Sequence, residues 1–575
     1  MIKLFKYLKP YALVIVAVLV LVFLQSIGDL YLPTLMADIV NNGMLVGNTG
    51  YIWRVGSMML LVAAGGVVAA VTASYLGSRI AMAYGRDLRS RVFSKVEDFS
   101  LHEFDKIGTA SLITRTTNDI TQIQNVVMMM LRMMIMAPMM GIGGMIMAIS
   151  KDRELAMILA VSLPVLAIGI GIVARHILPI FKSIQKKVDQ LNLVARENLT
   201  GIRVVRAFNR IDKEAKRFDE ANADLTSTAI KANKIMATLM PMMMIIMNLT
   251  SVAIIWFGSK RIDMGSLQVG DMMAFLQYAM QIMMSLIMMS MMFSFLPRAQ
   301  ASATRINEIL DVEAEIVDPE KEKLQESTRG MLAFKNVTFS YPGAEKPVLN
   351  NVSFTTKPGE VTAIIGGTGS GKSTLINLIP RFYDIQSGAI EIDGVDVREM
   401  KQEALRSKIG FVPQKAYLFS GSIAENIRFG KEDASEEEIK KAAEIAQATE
   451  FINGMKEGYD YTIAQGGTNV SGGQRQRLAI ARALVRRPEI YIFDDSFSAL
   501  DVKTDVRLRT ALKKETLESS VLIVAQRVTT VMDADRIIVL DEGKIVGLGK
   551  HRELLDSCQV YREIVASQLS EEELA

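Results

Sequence analysis

A single cysteine in 575 residues, Cys558, leaves no partner for an internal disulfide and no pair for a CxxC redox or zinc site. Histidine is nearly as scarce: His102, His176 and His551 are too scattered in sequence to suggest a metal cluster. Neither sign of charge is in real excess, since 65 Lys and Arg face 62 Asp and Glu for a net charge of +3. That balance removes any global argument for a polyanionic partner such as nucleic acid. The opening stretch "MIKLFKYLKPYALVIV" lacks a small-residue cleavage site after its apolar run. It is therefore expected to be retained, with its lysines on the inner membrane surface.

Apolar residues, by contrast, make up 50% of the chain and crowd its first half. The length calls for several cores, and the distribution divides them into a membrane domain over 1–311, a charged linker over 312–329 and a soluble domain over 330–575. A hydrocarbon core needs about 20 mostly apolar residues per helix. Runs of that kind lie near 11–33, 55–78, 126–149, 154–178, 236–258 and 271–295, so six spans are expected. Lys3, Lys6 and Lys9, then Arg79, Arg86, Arg89, Arg91 and Lys95, then Lys182, Lys186, Lys187, Arg203, Arg206 and Arg210 mark three cytoplasmic segments. An even number of spans leaves the soluble domain in the cytoplasm with the N-terminus. The long cytoplasmic connections contain no run of Gly or Pro and read as helices continuing past the bilayer, joined by "EFDKIGTASL" and "ENLTGIRVVRAF".

Most of the 37 methionines lie in or near the spans. Flexible, polarizable Met suits an apolar cavity that fits several ligands, and it also serves as plain membrane filler in place of Leu and Ile. Asp29 and Arg132 sit inside or near apolar runs and are candidate functional residues, with snorkelling at a helix end as the alternative.

Beyond the linker, the strand-like run "EVTAIIG" leads directly into "GGTGSGKS", the pattern G-x-x-x-x-G-K-[ST] placed after a strand and before an apolar helix. Gly366, Gly367, Thr368, Gly369, Ser370 and Gly371 are expected to curl their N–H groups around phosphate oxygens. Lys372 would reach the β and γ phosphates, Ser373 would hold Mg²⁺, and Thr374 continues the loop into its helix. Gln414, in "IGFVPQ", stands where its amide oxygen reaches the metal or the attacking water. Ser471, Gly472, Gly473 and Gln474 open a basic amphipathic helix whose N-terminus suits a second phosphate. Asp494 ends the strand "IYIFD" as a further magnesium ligand, and Tyr341 is placed to stack on a nucleobase.

Together "GGTGSGKS", "VPQ", "VSGGQ", "IYIFDD" and "SALD" resemble an ABC-type ATPase domain, and six preceding spans with long cytoplasmic loops resemble a bacterial ABC exporter half-transporter. The resemblance covers essentially the whole chain and is closest to one subunit of the heterodimeric multidrug exporters. It implies an all-α six-helix transmembrane domain followed by an α/β P-loop ATPase domain in a multi-pass protein of the bacterial plasma membrane. It also implies ATP and Mg²⁺ as cofactors and a second half-transporter as partner. Two ATPase domains would then close head to tail, each ATP lying between the phosphate loop of one chain and the signature segment of the other. The segments around 103–112 and 197–208 would serve as coupling helices.

Two positions depart from that family's pattern. Its metal-binding Asp is followed by Glu, here Asp495; its later switch His is here Gln526. The Asp side chain is shorter by about 1.5 Å, and hydrolysis needs a base within hydrogen-bond reach of the attacking water. Gln can donate a hydrogen bond to phosphate but cannot carry a proton charge. An intact phosphate loop beside two altered catalytic positions predicts a site that binds ATP and cleaves it poorly. The leading functional expectation is a subunit of an exporter of hydrophobic or amphipathic compounds. Export of lipid, peptide or haem on the same scaffold, and a membrane-embedded nucleotide sensor that moves nothing, are the alternatives.

Overall fold

The computed structural model describes residues 1–321, 323 and 329–569, so the expected linker falls partly on positions outside the described residues. The chain forms two compact units: Met1–Glu97 with Ala110–Val312, and Asp98–Thr109 with Glu313–Ala575.

In the first unit a main chain that must cross hydrocarbon satisfies its own hydrogen bonds as helix. Among the described residues six helices are long and apolar enough to span a membrane: Ile2–Met44, Thr49–Glu97, Thr109–Lys151, Arg153–Thr200, Ile211–Asp263 and Val269–Leu310. They contain 42 to 53 residues each, which is roughly 63 to 80 Å of helix against a hydrocarbon core of about 30 Å. More than half of each therefore projects beyond the bilayer, as the sequence leads one to expect.

Polar side chains tie the first and sixth long helices together. The Tyr278 hydroxyl lies 3.0 Å from the Leu30 carbonyl oxygen and 2.7 Å from the Thr34 hydroxyl, and Gln281 Nε2 donates to the Asp29 carbonyl oxygen at 3.1 Å. At the outer connection Asp152 caps the fourth long helix through the Leu155 N–H at 2.9 Å and accepts from Arg261 Nε at 2.7 Å. Asp29 is half-buried beside Gln25. Arg132 is exposed, has no ion-pair or hydrogen-bond partner among the described residues, and borders a 240 Å³ cavity with Gln25, Ser74, Ser78 and Met128.

The third long helix is interrupted by single π turns at Arg115–Asp119 and Met139–Gly143, the second directly after Pro138. The first π turn presents the fully buried Asp119 to the sixth helix, where it accepts from Arg305 Nε at 2.7 Å, from Arg305 Nη2, and from Ser302 Oγ at 2.9 Å.

The second unit is built on a six-stranded sheet of order β12-β11-β3-β10-β9-β6 and a four-stranded sheet of order β2-β1-β4-β5. In chain order the strands are β1 (Leu332–Phe339), β2 (Leu349–Thr356), β3 (Val361–Ile365), β4 (Ser387–Ile392), β5 (Val395–Asp396) and β6 (Ile409–Val412). They continue with β7 (Gly421–Ser422), β8 (Thr462–Ile463), β9 (Ile490–Asp494), β10 (Ser520–Val524), β11 (Arg536–Asp541) and β12 (Lys544–Gly549). β7 and β8 form a separate two-stranded pair. In the larger sheet β11, β3, β10, β9 and β6 run parallel and only β12 is antiparallel.

A parallel sheet is covered on both faces, which is why β9 and β10 read as unbroken apolar runs and are buried along their whole length. Alternate residues feed two cores. Ala363, Ile365, Phe493 and Ile523 pack on one face, and Ile364, Ile492, Leu522 and Val524 on the other. The lone cysteine, Cys558, is buried in the first of these cores.

Asp119→Ala would leave the Arg305 guanidinium and the Ser302 hydroxyl facing a void, and should destabilise the membrane unit by about 2 kcal/mol. A lowered thermal unfolding midpoint of the purified protein, with partial recovery in Asp119→Asn, is the expected result.

Candidate functional site

The site begins where β3 stops. After Ile365 the main chain passes so close to β11 that a Cβ at Gly366 would lie 2.1 Å from the Leu540 carbonyl oxygen, so only hydrogen fits there. Gly369 (φ 84°) and Gly371 (φ 98°) occupy the left-handed region, and that curl delivers the chain into the helix Lys372–Leu378. Lys372 folds back over its own loop, its Nζ 2.8 Å from the Gly366 carbonyl oxygen and 2.7 Å from that of Gly367. Burial holds its pKa below the usual lysine value, while Asp494 and Asp495 pull it the other way.

β9 and β10 supply the acids and the switch position. Asp494 is buried at the end of β9, and its carboxyl is held above the usual range by burial and by the neighbouring Asp495. A hydrogen bond from Ser373 and the charge of Lys372 act against that rise. Asp495 has left the strand: its N–H donates to the Val524 carbonyl oxygen at 2.8 Å and its φ of 45° is left-handed. Among side chains other than glycine, Asp and Asn are the ones that enter this region most readily, so the backbone itself favours the shorter acid here. Gln414 Nε2 lies 3.4 Å from Asp495 Oδ2.

These groups converge. Thr368, Gly369, Gly371, Lys372, Ser373, Thr374, Gln414, Asp494, Asp495 and Gln526 all line one cavity of about 390 Å³, together with Val348 and Val524, which sequence reasoning does not single out. The Ser373 hydroxyl, the Asp494 carboxylate and the Gln414 amide are hard oxygen donors on one cavity wall. Such a set fits Mg²⁺, which binds through one or two protein oxygens plus phosphate rather than in an all-protein cage. Among the described residues no group of three His, Cys, Asp or Glu side chains is arranged to hold a metal.

Tyr341 lies beside the loop rather than on the cavity wall. Its hydroxyl is 3.1 Å from Thr374 Oγ1 and its ring meets Tyr383 edge-on at 5.4 Å. Tyr383 is a neighbour that the sequence does not announce, and it stands within electrostatic reach of Asp105 on the short helix Leu101–Ile107. Burial first, and then Asp105, push the Tyr383 hydroxyl up to about 12. The same helix is fixed by Glu103, whose Oε1 accepts from the Glu315 N–H at 2.9 Å.

Ser471, Gly472, Gly473 and Gln474 do not join the cavity. Ser471 and Gly472 are exposed at the start of the helix Gly472–Val485, where Ser471 Oγ accepts from the Gln474 N–H at 3.2 Å and Gln474 Oε1 accepts from the Ser471 N–H at 2.9 Å. This capping box fixes the helix N-terminus and leaves the glycine backbone open to solvent.

A transmembrane helical unit and an α/β unit with a phosphate loop, paired acids and a capped helix N-terminus define a membrane transport ATPase. Residues 14–286 match the model of the ABC transporter transmembrane region and residues 349–498 that of the ABC transporter. The chain is 44% identical over 567 residues to an uncharacterised ABC transporter ATP-binding protein of Mycobacterium tuberculosis, covering 98% of this chain and 97% of that one. It is 30% identical over 574 residues to an ATP-dependent lipid A-core flippase of Vibrio parahaemolyticus, covering 99% and 98%. Among solved structures it is similar to a bacterial Atm1-family ABC exporter with ATP bound, at a TM-score of 0.80 and 25% identity over 98% of this chain and 99% of that one. The chain belongs to the ABC transporter family, as an exporter half-transporter. It is a multi-pass membrane protein whose cytoplasmic domain is an ATPase coupled to transport, and the expected fold class holds throughout. Exporters of this family dimerise and work in the lipid bilayer.

Replacing Lys372 by Ala removes the one cation at the loop and should weaken ATP binding by about 10- to 100-fold, the usual worth of a hydrogen bond between charged groups. Gly366→Ala should match it by driving the loop off the Leu540 carbonyl. Equilibrium titration of the full-length protein with a fluorescent ATP analogue reads both.

Proposed function

We propose that the chain is one subunit of a heterodimeric exporter of hydrophobic or amphipathic compounds in a bacterial plasma membrane. In this reading residues 1–311 form the pathway, 312–329 the linker and 330–575 the ATP-binding domain. The observation that carries it is the position of Asp495 and Gln526 on the same cavity as an unbroken phosphate loop. Lys372 and the loop N–H groups hold the β and γ phosphates, Tyr341 borders the nucleobase, and Ser373, Asp494 and Gln414 would hold Mg²⁺. When bound, the ion neutralises phosphate charge.

Hydrolysis then depends on a base for the attacking water, a contribution of about 10² to 10⁴ in rate. Asp495 is one methylene short and turned toward Gln414, and Gln526 cannot act as an imidazolium. The chain's own site therefore retains ATP and turns it over slowly. Its exposed Ser471 and Gly472 and its half-buried Gly473, with Gln474 bracing the cap, complete the partner's site, where close glycine backbone and the helix N-terminus meet the terminal phosphate. For the cargo, the Met-rich spans supply adaptable apolar surface. Similarity to a protein named for lipid A-core supports a lipid-like, amphipathic molecule over a small polar solute.

In the purified complex with its partner, Ser471→Ala combined with Gly472→Glu should abolish ATPase activity, whereas Asp495→Ala should leave it nearly unchanged. A larger loss in Asp495→Ala would mean that both sites work and that a homodimer is the better description. Photolabelling with an amphipathic dye should map to the third, fifth or sixth span. Competition by strongly charged solutes in place of amphiphiles would overturn the cargo assignment.

A further inference from the structure

The loop that follows β10 carries Gln526 at the nucleotide cavity, yet its main chain is gripped from about 40 residues further on. Gln568 Nε2 donates to the Gln526 carbonyl oxygen at 2.8 Å, and Gln568 Oε1 accepts from the Val528 N–H, also at 2.8 Å. One side-chain amide thus satisfies an acceptor and a donor two residues apart, the pairing that a residue of a parallel strand makes with its neighbour. Gln568 is itself anchored. It follows the helix Gln559–Ala566, its N–H bonds the Val565 carbonyl oxygen at 3.0 Å, and Tyr561 and Val565 of that helix are fully buried. On the other side of the loop, Arg527 Nη2 donates to the Ser498 carbonyl oxygen at 3.3 Å, and Ser498 Oγ donates to the Asp495 carbonyl oxygen at 2.8 Å. The switch loop is held between the segment that follows Asp495 and the C-terminal helix.

We infer that Gln568 is a positioning residue for Gln526, fixing the main chain on both sides of Arg527 so that the Gln526 amide stands at the terminal phosphate of the bound nucleotide. This rests on the reading of Gln526 as a phosphate contact. A side chain restrained at its own carbonyl and at the N–H two residues on has little freedom to swing out of the cavity, so release of nucleotide is slowed.

Release of a ribose-labelled fluorescent ATP analogue from the full-length protein in nanodiscs tests it. Gln568→Ala should speed release roughly three- to tenfold, the span of one hydrogen bond. Gln568→Glu keeps the acceptor for the Val528 N–H but sets an acceptor against the Gln526 carbonyl, and should speed release at least as much. In a Gln526→Ala background neither change should alter release further, because the group being positioned is gone. A merely structural role gives the same acceleration in both backgrounds, and that result overturns the inference, as does unchanged release in Gln568→Glu. Should Gln568→Ala not yield monodisperse protein, Gln568→Glu decides alone. If Gln526→Ala by itself leaves release unchanged, the phosphate-contact reading falls and takes this inference with it; if it accelerates release and the Gln568 variants do not, only this inference falls.

Discussion

The hydrogen-bonded register of three parallel strands is what the nucleotide site depends on. Val524 of β10 stands opposite Ile364 of β3 and Asp494 of β9, so the three strands end at one level. From that level the phosphate loop, the acid pair and the switch loop all leave in the same direction. Lys372, Asp494, Asp495 and Gln526 are brought to one cavity by sheet register rather than by nearness in sequence, since the four span more than 150 positions. A slip of one residue in β10 would exchange the side chains that feed its two cores and carry the switch loop out of line.

Electrostatics within the cavity is set first by burial and then by the nearness of two acids and one lysine. Asp494 is buried beside Asp495 and is held above the usual carboxyl range, while Lys372 is pulled below its own. Both departures have burial as their first cause: Asp494 and Lys372 lie partly desolvated in the same cavity, and each is pushed toward its neutral form. The left-handed backbone at Asp495 adds a local constraint. The short acid at that position is thus consistent with the conformation as well as with slow hydrolysis, and a longer side chain would meet a backbone less suited to it.

Much of this is legible in the sequence itself. Hydrocarbon demands unbroken apolar runs, so six spans could be counted by eye, and a phosphate loop is a local motif whose spacing is its geometry. The strand "IYIFD" could be placed because a doubly covered strand has no polar face to hide. What could not be read were pairings between distant positions. Asp119 with Arg305, Tyr383 with Asp105, and Gln568 with the switch loop join residues 186, 278 and 42 apart, and nothing in an isolated Asp, Tyr or Gln says which partner it finds. The π turn that aims Asp119 is equally invisible: its residues, RTTND, are mostly weak helix formers but include no Gly or Pro to mark a break. The sequence places Tyr341 for a nucleobase, whereas its packing on Tyr383 and its hydrogen bond with Thr374 follow only from the fold.

The length of the membrane helices has a mechanical meaning. A helix of 53 residues is a rod of about 80 Å, and with its expected span at 236–258 lying toward one end, a pivot in the bilayer leaves a lever of roughly 54 Å on the side of Ile211. A rotation of only about 10° moves that end by roughly 9 Å, more than a full helical turn. Angular changes too small to disturb side-chain packing at the fulcrum are thereby amplified into displacements large enough to exchange whole sets of contacts at the far end.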